Sequence, residues 1–187
     1  MSESEGSVER ELKFRDVSLD ELRDRLQELE AERIGPGILE DNVIFDRDGH
    51  LKDASCVLRL RKDGKGAHLT FKGPATFEGR TKIRDEHETT IGDPKAARRL
   101  FESLGYQAVK RYQKVRETWQ LGGVTIALDH TPIGDFAEFE GDGAETVAKR
   151  CDLDPETAER RSYLRLYADH LKAHPDAPPD MVFEDRG

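Results

Sequence analysis

Val8-Glu9-Arg10-Glu11-Leu12-Lys13-Phe14 sets apolar side chains at Val8, Leu12 and Phe14 against charged ones at Glu9, Glu11 and Lys13. Side chains of an extended chain point alternately to opposite faces, so a period of two reads as a strand with one apolar and one charged face. The pattern recurs. Leu58 and Leu60 alternate with Arg59 and Arg61, and Leu69 and Phe71 with Thr70 and Lys72. Ile83 and Ile91 bracket a strand whose other face carries Arg84, Glu86 and Glu88. Val109, Val115 and Trp119 alternate with Lys110, Tyr112, Lys114 and Arg116. Val124, Ile126 and Leu128 alternate with Thr125 and Asp129, and Ala137 and Phe139 with Phe136, Glu138 and Glu140. A short segment from Val43 to Asp46 makes an eighth strand.

An open sheet would turn its polar face to bulk water. Here those faces hold few Ser, Asn or Gln and many full charges of both signs. A closed barrel suits them better, with helices over the apolar outside and the charged faces converging on a water-filled lumen. Converging charges pair or repel, an arrangement that makes sense around a charged ligand. The expected fold is α+β, a closed eight-stranded antiparallel β-barrel with helices packed outside.

The helices show through their ends. Ser18 with Glu21 forms a capping box for a helix to about Arg33, which Gly35-Pro36 follows. Asp93-Pro94 opens a helix to about Leu104 with Gly105 as its stop, Asp154-Pro155 repeats the device, and Ser162 caps a helix through Leu171. Leu19, Leu22, Leu26 and Leu29 form a core-facing stripe. Gly64-Lys65-Gly66 reads as a hairpin turn, and no Walker-type glycine loop is present. One domain is expected over residues 1–172, with residues 173–187 an extended, weakly anchored tail containing Pro175, Pro178 and Pro179.

Composition narrows the function. The 187 residues carry a net charge of −9, which argues against a general nucleic-acid binder. Acidic runs such as Glu28-Leu29-Glu30-Ala31-Glu32 read as solvated surface. No apolar run is long enough to span a membrane, and Met1 to Ser7 has no apolar core of a secretory signal. Cys56 and Cys151 imply neither a disulfide framework nor a metal knuckle, so a cytoplasmic location is expected.

The charged faces divide by chemistry. Lys13, Arg59, Arg61, Lys72, Arg84, Lys114 and Arg116 offer planar forks and point charges to a polyanion. Glu9, Glu11, Glu138 and Glu140, with Glu86, Glu88 and Asp129 near them, are hard oxygen donors suited to Mg²⁺ or Mn²⁺. Crowded carboxylates are expected to raise one another's pKa values. Cations and metal together would neutralise a triphosphate and its leaving group.

Glu9-Arg10-Glu11-Leu12-Lys13 resembles the ExExK signature of the CYTH superfamily, the triphosphate tunnel metalloenzymes. The resemblance continues in order through Leu58-Arg59-Leu60-Arg61, Leu69-Thr70-Phe71-Lys72-Gly73-Pro74, Lys82 to Glu88, Lys114-Val115-Arg116, Asp129, Gly134 to Glu140 and Ser162-Tyr163. It covers about Val8 to Leu171 and looks most like the class IV adenylyl cyclase branch and its archaeal relatives. The resemblance implies a triphosphate such as ATP or tripolyphosphate in the tunnel and a possible homodimer, with no nucleic-acid or membrane partner. Glu9, Glu11, Glu138 and Glu140 would hold the metal, with Glu86, Glu88 and Asp129 behind them, and Lys72 and Lys13 would be catalytic. Cyclase, phosphohydrolase and non-catalytic sensor all stay open. Thiamine triphosphatase-like members carry a tyrosine where this chain has Phe45, and Tyr112 or His68 could replace its hydroxyl.

Overall fold

The structure, a computed structural model, describes residues 7–184; the expectation about the segment from Met1 falls outside them. Nine strands form one antiparallel sheet. They are β1 (Ser7–Arg15), β2 (Glu32–Asp46), β3 (Val57–Asp63), β4 (Gly66–Lys72), β5 (Thr76–Glu78), β6 (Thr81–Ile91), β7 (Gln107–Leu121), β8 (Val124–Thr131) and β9 (Gly134–Glu140). Their order is β1-β9-β8-β7-β2-β3-β4-β6, and a β1–β6 pairing closes the ring into the expected eight-stranded barrel. β5 hangs on β6 outside that ring. Among the described residues the helices are α1 (Leu19–Glu28), α2 (His50–Asp53), α3 (Pro94–Ser103), α4 (Ala144–Arg150) and α5 (Tyr163–Ala173). None is long and apolar enough to cross a membrane.

The caps act as the sequence suggests. Ser18 Oγ accepts from Glu21 N, Asp93 accepts from Lys95 N and Ala96 N, and Ser162 Oγ accepts from Arg165 N. Each satisfies a backbone N–H that the first helical turn leaves without a partner.

Two cores hold the barrel. Outside it, Leu12, Phe14, Trp119, Ile126, Leu128 and Phe139 pack against Leu19, Leu22 and Leu26 of α1 and Ala144, Val147 and Ala148 of α4. The second core gathers Ile44, Tyr112 and Phe136 around Tyr163, Leu166 and Tyr167 of α5. Ile44, Tyr112 and Phe136 share the parity of the charged residues on their strands, so here the lumen-side pattern turns apolar to meet a helix.

Several boundaries differ from expectation. α1 stops at Glu28, because Glu30 takes φ 55° and turns the chain out of the helix. The chain then enters β2, a strand of 15 residues where only Val43 to Asp46 was expected. Gly35-Pro36 is no helix stop but part of that strand. Register shifts at Arg33/Gly35 and Gly35/Ile38 break the alternation, and a Cβ on Gly35 would meet Thr118 Cβ at 3.3 Å. Asp154-Pro155 opens only a 3₁₀ turn, Pro155–Thr157. The tail is anchored: Met181 is 1% exposed in the second core, its carbonyl accepts from Gln113 N at 2.8 Å, and Tyr167 Oη donates to Pro178 O at 2.6 Å.

Met181→Ala should therefore destabilise the protein by about 2–4 kcal/mol, the cost of truncating a buried methionine. The melting temperature should fall by roughly 5–10 °C. An unchanged melt would mean that the tail contributes nothing to the core.

Candidate active site

Because the side chains of a strand alternate, the charged faces of all the barrel strands point to one lumen. They line a cavity of about 350 Å³. Glu9, Glu11, Lys13, Arg59, Arg61, Lys72, Arg84, Lys114, Arg116, Glu138 and Glu140 all reach it, as do Glu86 and Glu88. Asp129, opposite Arg116 on the same lumen face, is fully buried beneath the lining groups.

Register decides who meets whom. β1 lies between β6 and β9, with Glu9 opposite Arg84, Glu11 opposite both Lys82 and Glu140, and Lys13 opposite Glu138. Lys13 Nζ is 3.0 Å from Glu138 and 3.4 Å from Glu11. Lys82 reaches Glu11 at 2.9 Å, and Arg84 reaches Glu9 at 3.2 Å. Lys72 sits between Glu9 and Glu86, 2.7 Å from each. Across the lumen, Arg59 donates to Thr70 Oγ1 at 3.2 Å and to Tyr112 Oη at 3.4 Å, and Arg61 donates to Glu88 at 3.2 Å.

Asp129 ties the far wall together. Its carboxylate accepts from Lys114 Nζ at 3.0 Å, Arg116 Nε at 2.7 Å and Tyr163 Oη at 2.6 Å. The Tyr163 ring lies under Lys13, whose Nζ is 4.3 Å from its centroid. Thus β1, β7, β8 and the first residue of α5 share one hydrogen-bonded and cation–π cluster.

The electrostatics run largely against the expectation of raised carboxylate pKa values. Burial disfavours the charge of Glu138, but Lys13, Lys114 and Arg116 outweigh it and hold its pKa well below the ordinary range. Burial and Glu138 oppose the charge of Glu11, yet Lys13, Lys82 and Lys72 lower it. Burial also opposes the charge of Lys13, and Glu11 and Glu138 reverse this and raise its pKa. Glu140 follows the expectation. Desolvation first, then Glu9, with Glu86 and Glu11 adding, pushes it to about 7.

Sequence reading missed several lining groups. Lys82 shares the parity of Arg84 and could have been found from that alone. Glu40 and Asn42 lie on the part of β2 that was not read as a strand; both are buried. Tyr163 and Leu164 come from α5, and with Ile44, Val57 and Tyr112 they give the cavity an apolar and aromatic portion. His68 lies outside the main cavity, between Asp63 at 3.6 Å and Glu88 at 3.5 Å. Phe45 is fully buried against Phe101, on the opposite parity from the lumen.

The family model of the CYTH domain matches residues 7–163. The chain belongs to the CYTH family. A Methanocaldococcus jannaschii protein that is provisionally named an adenylate cyclase is 24% identical over 172 residues, 85% of this chain and 98% of its own. Among solved structures, a Vibrio parahaemolyticus protein with the same provisional name superposes with a TM-score of 0.77 at 24% identity, covering 88% of this chain and 99% of that one. A Hippeastrum protein, provisionally assigned as an adenylyl cyclase and described with a dominant triphosphatase activity, gives 0.64 at 17% identity over 87% and 96%. At these identities the structures show a shared fold.

CYTH tunnels use divalent metal ions, and the donor chemistry here fits one. Eight cations and six carboxylates line the cavity; Glu40 and Asp129, both paired with Lys114, bring the two signs level. A tunnel already balanced needs added positive charge to accept a triphosphate. Among the described residues no three carboxylate, imidazole or thiol groups converge on a metal position as the side chains stand. The lysines hold the carboxylate oxygens instead. Glu140 bears no ion pair among the described residues; desolvation, with Glu9, Glu86 and Glu11 nearby, raises its pKa against a smaller lowering by Lys72.

Glu140 is protonated in both states below its unfolded pKa of about 4.5, and between there and about 7 the unfolded chain loses its proton first. Its contribution to stability is therefore lost as pH rises through about 7. Its side chain is exposed, so solvent screens part of the effect. Glu140→Gln should melt above wild type near pH 8 and level with it near pH 4. Mn²⁺ should stabilise the wild type more than the variant, since the amide offers a cation no negative charge. Equal melts at both pH values, with equal gains from Mn²⁺, would contradict the placement of Glu140.

Proposed function

We propose that this CYTH protein is a metal-dependent enzyme acting on a triphosphate in its tunnel, converting ATP to cyclic AMP and pyrophosphate as class IV adenylyl cyclases do. The observation that carries this reading is the enclosed ring of cations beside an apolar and aromatic portion of the same cavity. The cations suit the triphosphate. Ile44, Val57, Tyr112, Tyr163 and Leu164 suit an organic group joined to it, which a bare polyphosphate lacks.

The guanidinium forks of Arg59, Arg61, Arg84 and Arg116 can each engage two phosphate oxygens, while Lys72, Lys82 and Lys13 act as point charges. Lys72 and Lys13 each lie between two carboxylates, so they serve as ammonium donors and not as proton acceptors. As donors they stabilise charge growing on the pyrophosphate as the bond to the α-phosphorus breaks. Mg²⁺ or Mn²⁺, held by Glu9, Glu11, Glu138 and Glu140 with Glu86, Glu88 and Asp129 behind them, would supply positive charge to the phosphate oxygens when bound. Asp129 keeps Lys114 and Arg116 aimed inward, so little reorganisation is needed during reaction.

Hydrolysis is the second reading, and Tyr112 favours it. Its hydroxyl faces the lumen and takes a hydrogen bond from Arg59, whereas Phe45 offers none. Water aimed at the γ-phosphorus would then release orthophosphate, in keeping with the activity described for the Hippeastrum protein.

The deciding experiment incubates the protein with ATP or tripolyphosphate and Mn²⁺, then separates cyclic AMP, pyrophosphate and orthophosphate. Cyclic AMP with equimolar pyrophosphate is expected. Orthophosphate would favour the second reading, and binding without any product would leave a sensor and end the enzymatic one. Lys72→Ala should lower turnover about a hundredfold, the loss of one preorganised charge near 3 kcal/mol. Turnover within a few-fold of wild type would remove Lys72 from this role.

A further inference from the structure

The buried side-chain atoms that lack a hydrogen bond lie together. Among the described residues, the buried side-chain atoms without a hydrogen bond are Glu40 Oε2, both Asn42 amide atoms, Arg59 Nε and Arg61 Nε. All sit on β2 or β3. Glu40 Oε2 has Lys114 Nζ at 3.7 Å and Arg61 Nε has Asp63 Oδ2 at 3.5 Å, close but outside bonding geometry. Asn42 is the extreme case, fully buried with neither donor nor acceptor used.

Its place in the ladder explains what it could meet. Asn42 has the parity of Glu40 and Ile44, so it belongs to the lumen wall, opposite Arg61 on β3 and Tyr112 on β7. Directly opposed residues have Cβ atoms about 5 Å apart, and long side chains reach diagonal neighbours as well. Asn42 therefore stands opposite Arg61 and one diagonal step from Arg59, both of which have an unused Nε–H. In the structure these arginines are drawn elsewhere. Arg61 leans to Glu88, and Arg59 to Thr70 and Tyr112. A buried amide left unbonded destabilises the fold, and an apolar side chain of similar size would avoid that loss. A group kept at such a cost fits a second arrangement that uses it.

We propose that Asn42 is a positioning residue for the triphosphate-bound state. When phosphate oxygens draw the forks of Arg61 and Arg59 away from Glu88 and Thr70, the guanidinium planes turn, and Asn42 Oδ1 accepts an Nε–H. Asn42 then fixes the planes that the Nη pairs present to phosphate. The free enzyme carries the unsatisfied amide and the loaded enzyme relieves it. This inference rests on the reading of the tunnel as a triphosphate site.

The test uses Asn42→Leu, with inorganic tripolyphosphate and Mn²⁺ as the calorimetric probe and melting without ligand as the control. The variant should melt at or above wild type, while its tripolyphosphate affinity falls about tenfold, a factor equivalent to 1.4 kcal/mol. Unchanged affinity would overturn the proposal, whichever way the melt moved. Should both melt and affinity fall, a cycle with Arg61→Lys decides, because lysine has no Nε–H of this kind. An Asn42→Leu effect that shrinks several-fold in the Arg61→Lys background supports positioning through Arg61. Full additivity would mean that Asn42 is a structural residue satisfied by water, and would reject the proposal. Failure of wild type to bind tripolyphosphate would instead sink the reading of the site itself.

Discussion

The constraint on which everything else rests is charge balance inside a closed barrel. Strand alternation aims an entire face of each strand at the lumen, and closure leaves those faces little access to bulk water. Most of these charges then find their opposite within the wall. Lys13 between Glu11 and Glu138, Lys72 between Glu9 and Glu86, and Asp129 among Lys114, Arg116 and Tyr163 are the solutions this register permits. A register slip of one residue on any strand would turn its charges outward and unpair several neighbours at once. Removing one partner from a buried ion pair costs about 3–5 kcal/mol. The lumen therefore selects the register as strongly as the apolar exterior does.

The helices divide their labour accordingly. α1 and α4 cover the apolar outside, which any half-apolar sheet requires. α5 has a second duty, because Tyr163 at its start donates to Asp129 and lies beneath Lys13. Packing and electrostatics meet at that ring. The tail extends the same core through Met181, whose backbone bonds flank Tyr112 on β7. The aromatic groups of the cavity are thus held from outside the barrel, by a helix and a docked segment.

What the sequence disclosed followed from periodicity. Strands with clean alternation, such as β1, β3 and β9, could be read together with the face each residue would take, and that located the lumen charges. β2 escaped because Gly35-Pro36-Gly37 imitates a helix stop and its register shifts interrupt the period. Glu40 and Asn42 were lost with it. α2 and α4 have glycine at their N-caps and so lack the polar cap that announced α1, α3 and α5. The pKa pattern was misread for a different reason. Carboxylates spaced two apart in sequence suggest repulsion, but their pKa values depend on cations from neighbouring strands, which sequence spacing does not reveal. Glu140, opposite Glu11 and without an ion pair among the described residues, behaves as the local pattern implies.

The two walls of the lumen consequently stand in different energetic positions toward an anion. On the β1, β6 and β9 side the lysines already have carboxylate partners, so an entering phosphate exchanges one ion pair for another. That exchange is nearly even unless the released carboxylates acquire a cation in turn, which ties anion binding there to metal binding. On the β2 and β3 side, hydrogen-bonding capacity is unspent before the ligand arrives. A phosphate there still displaces Arg61 from Glu88 and Arg59 from Thr70, but the unused atoms of Asn42 and the two Nε–H groups can add bonds beyond those exchanged. On the proposed reading, the first wall sets the metal requirement and the second adds affinity that depends less on metal. Natural sequences keep local dissatisfaction chiefly where function uses it, and in this tunnel the dissatisfied groups lie opposite the metal-ready ones.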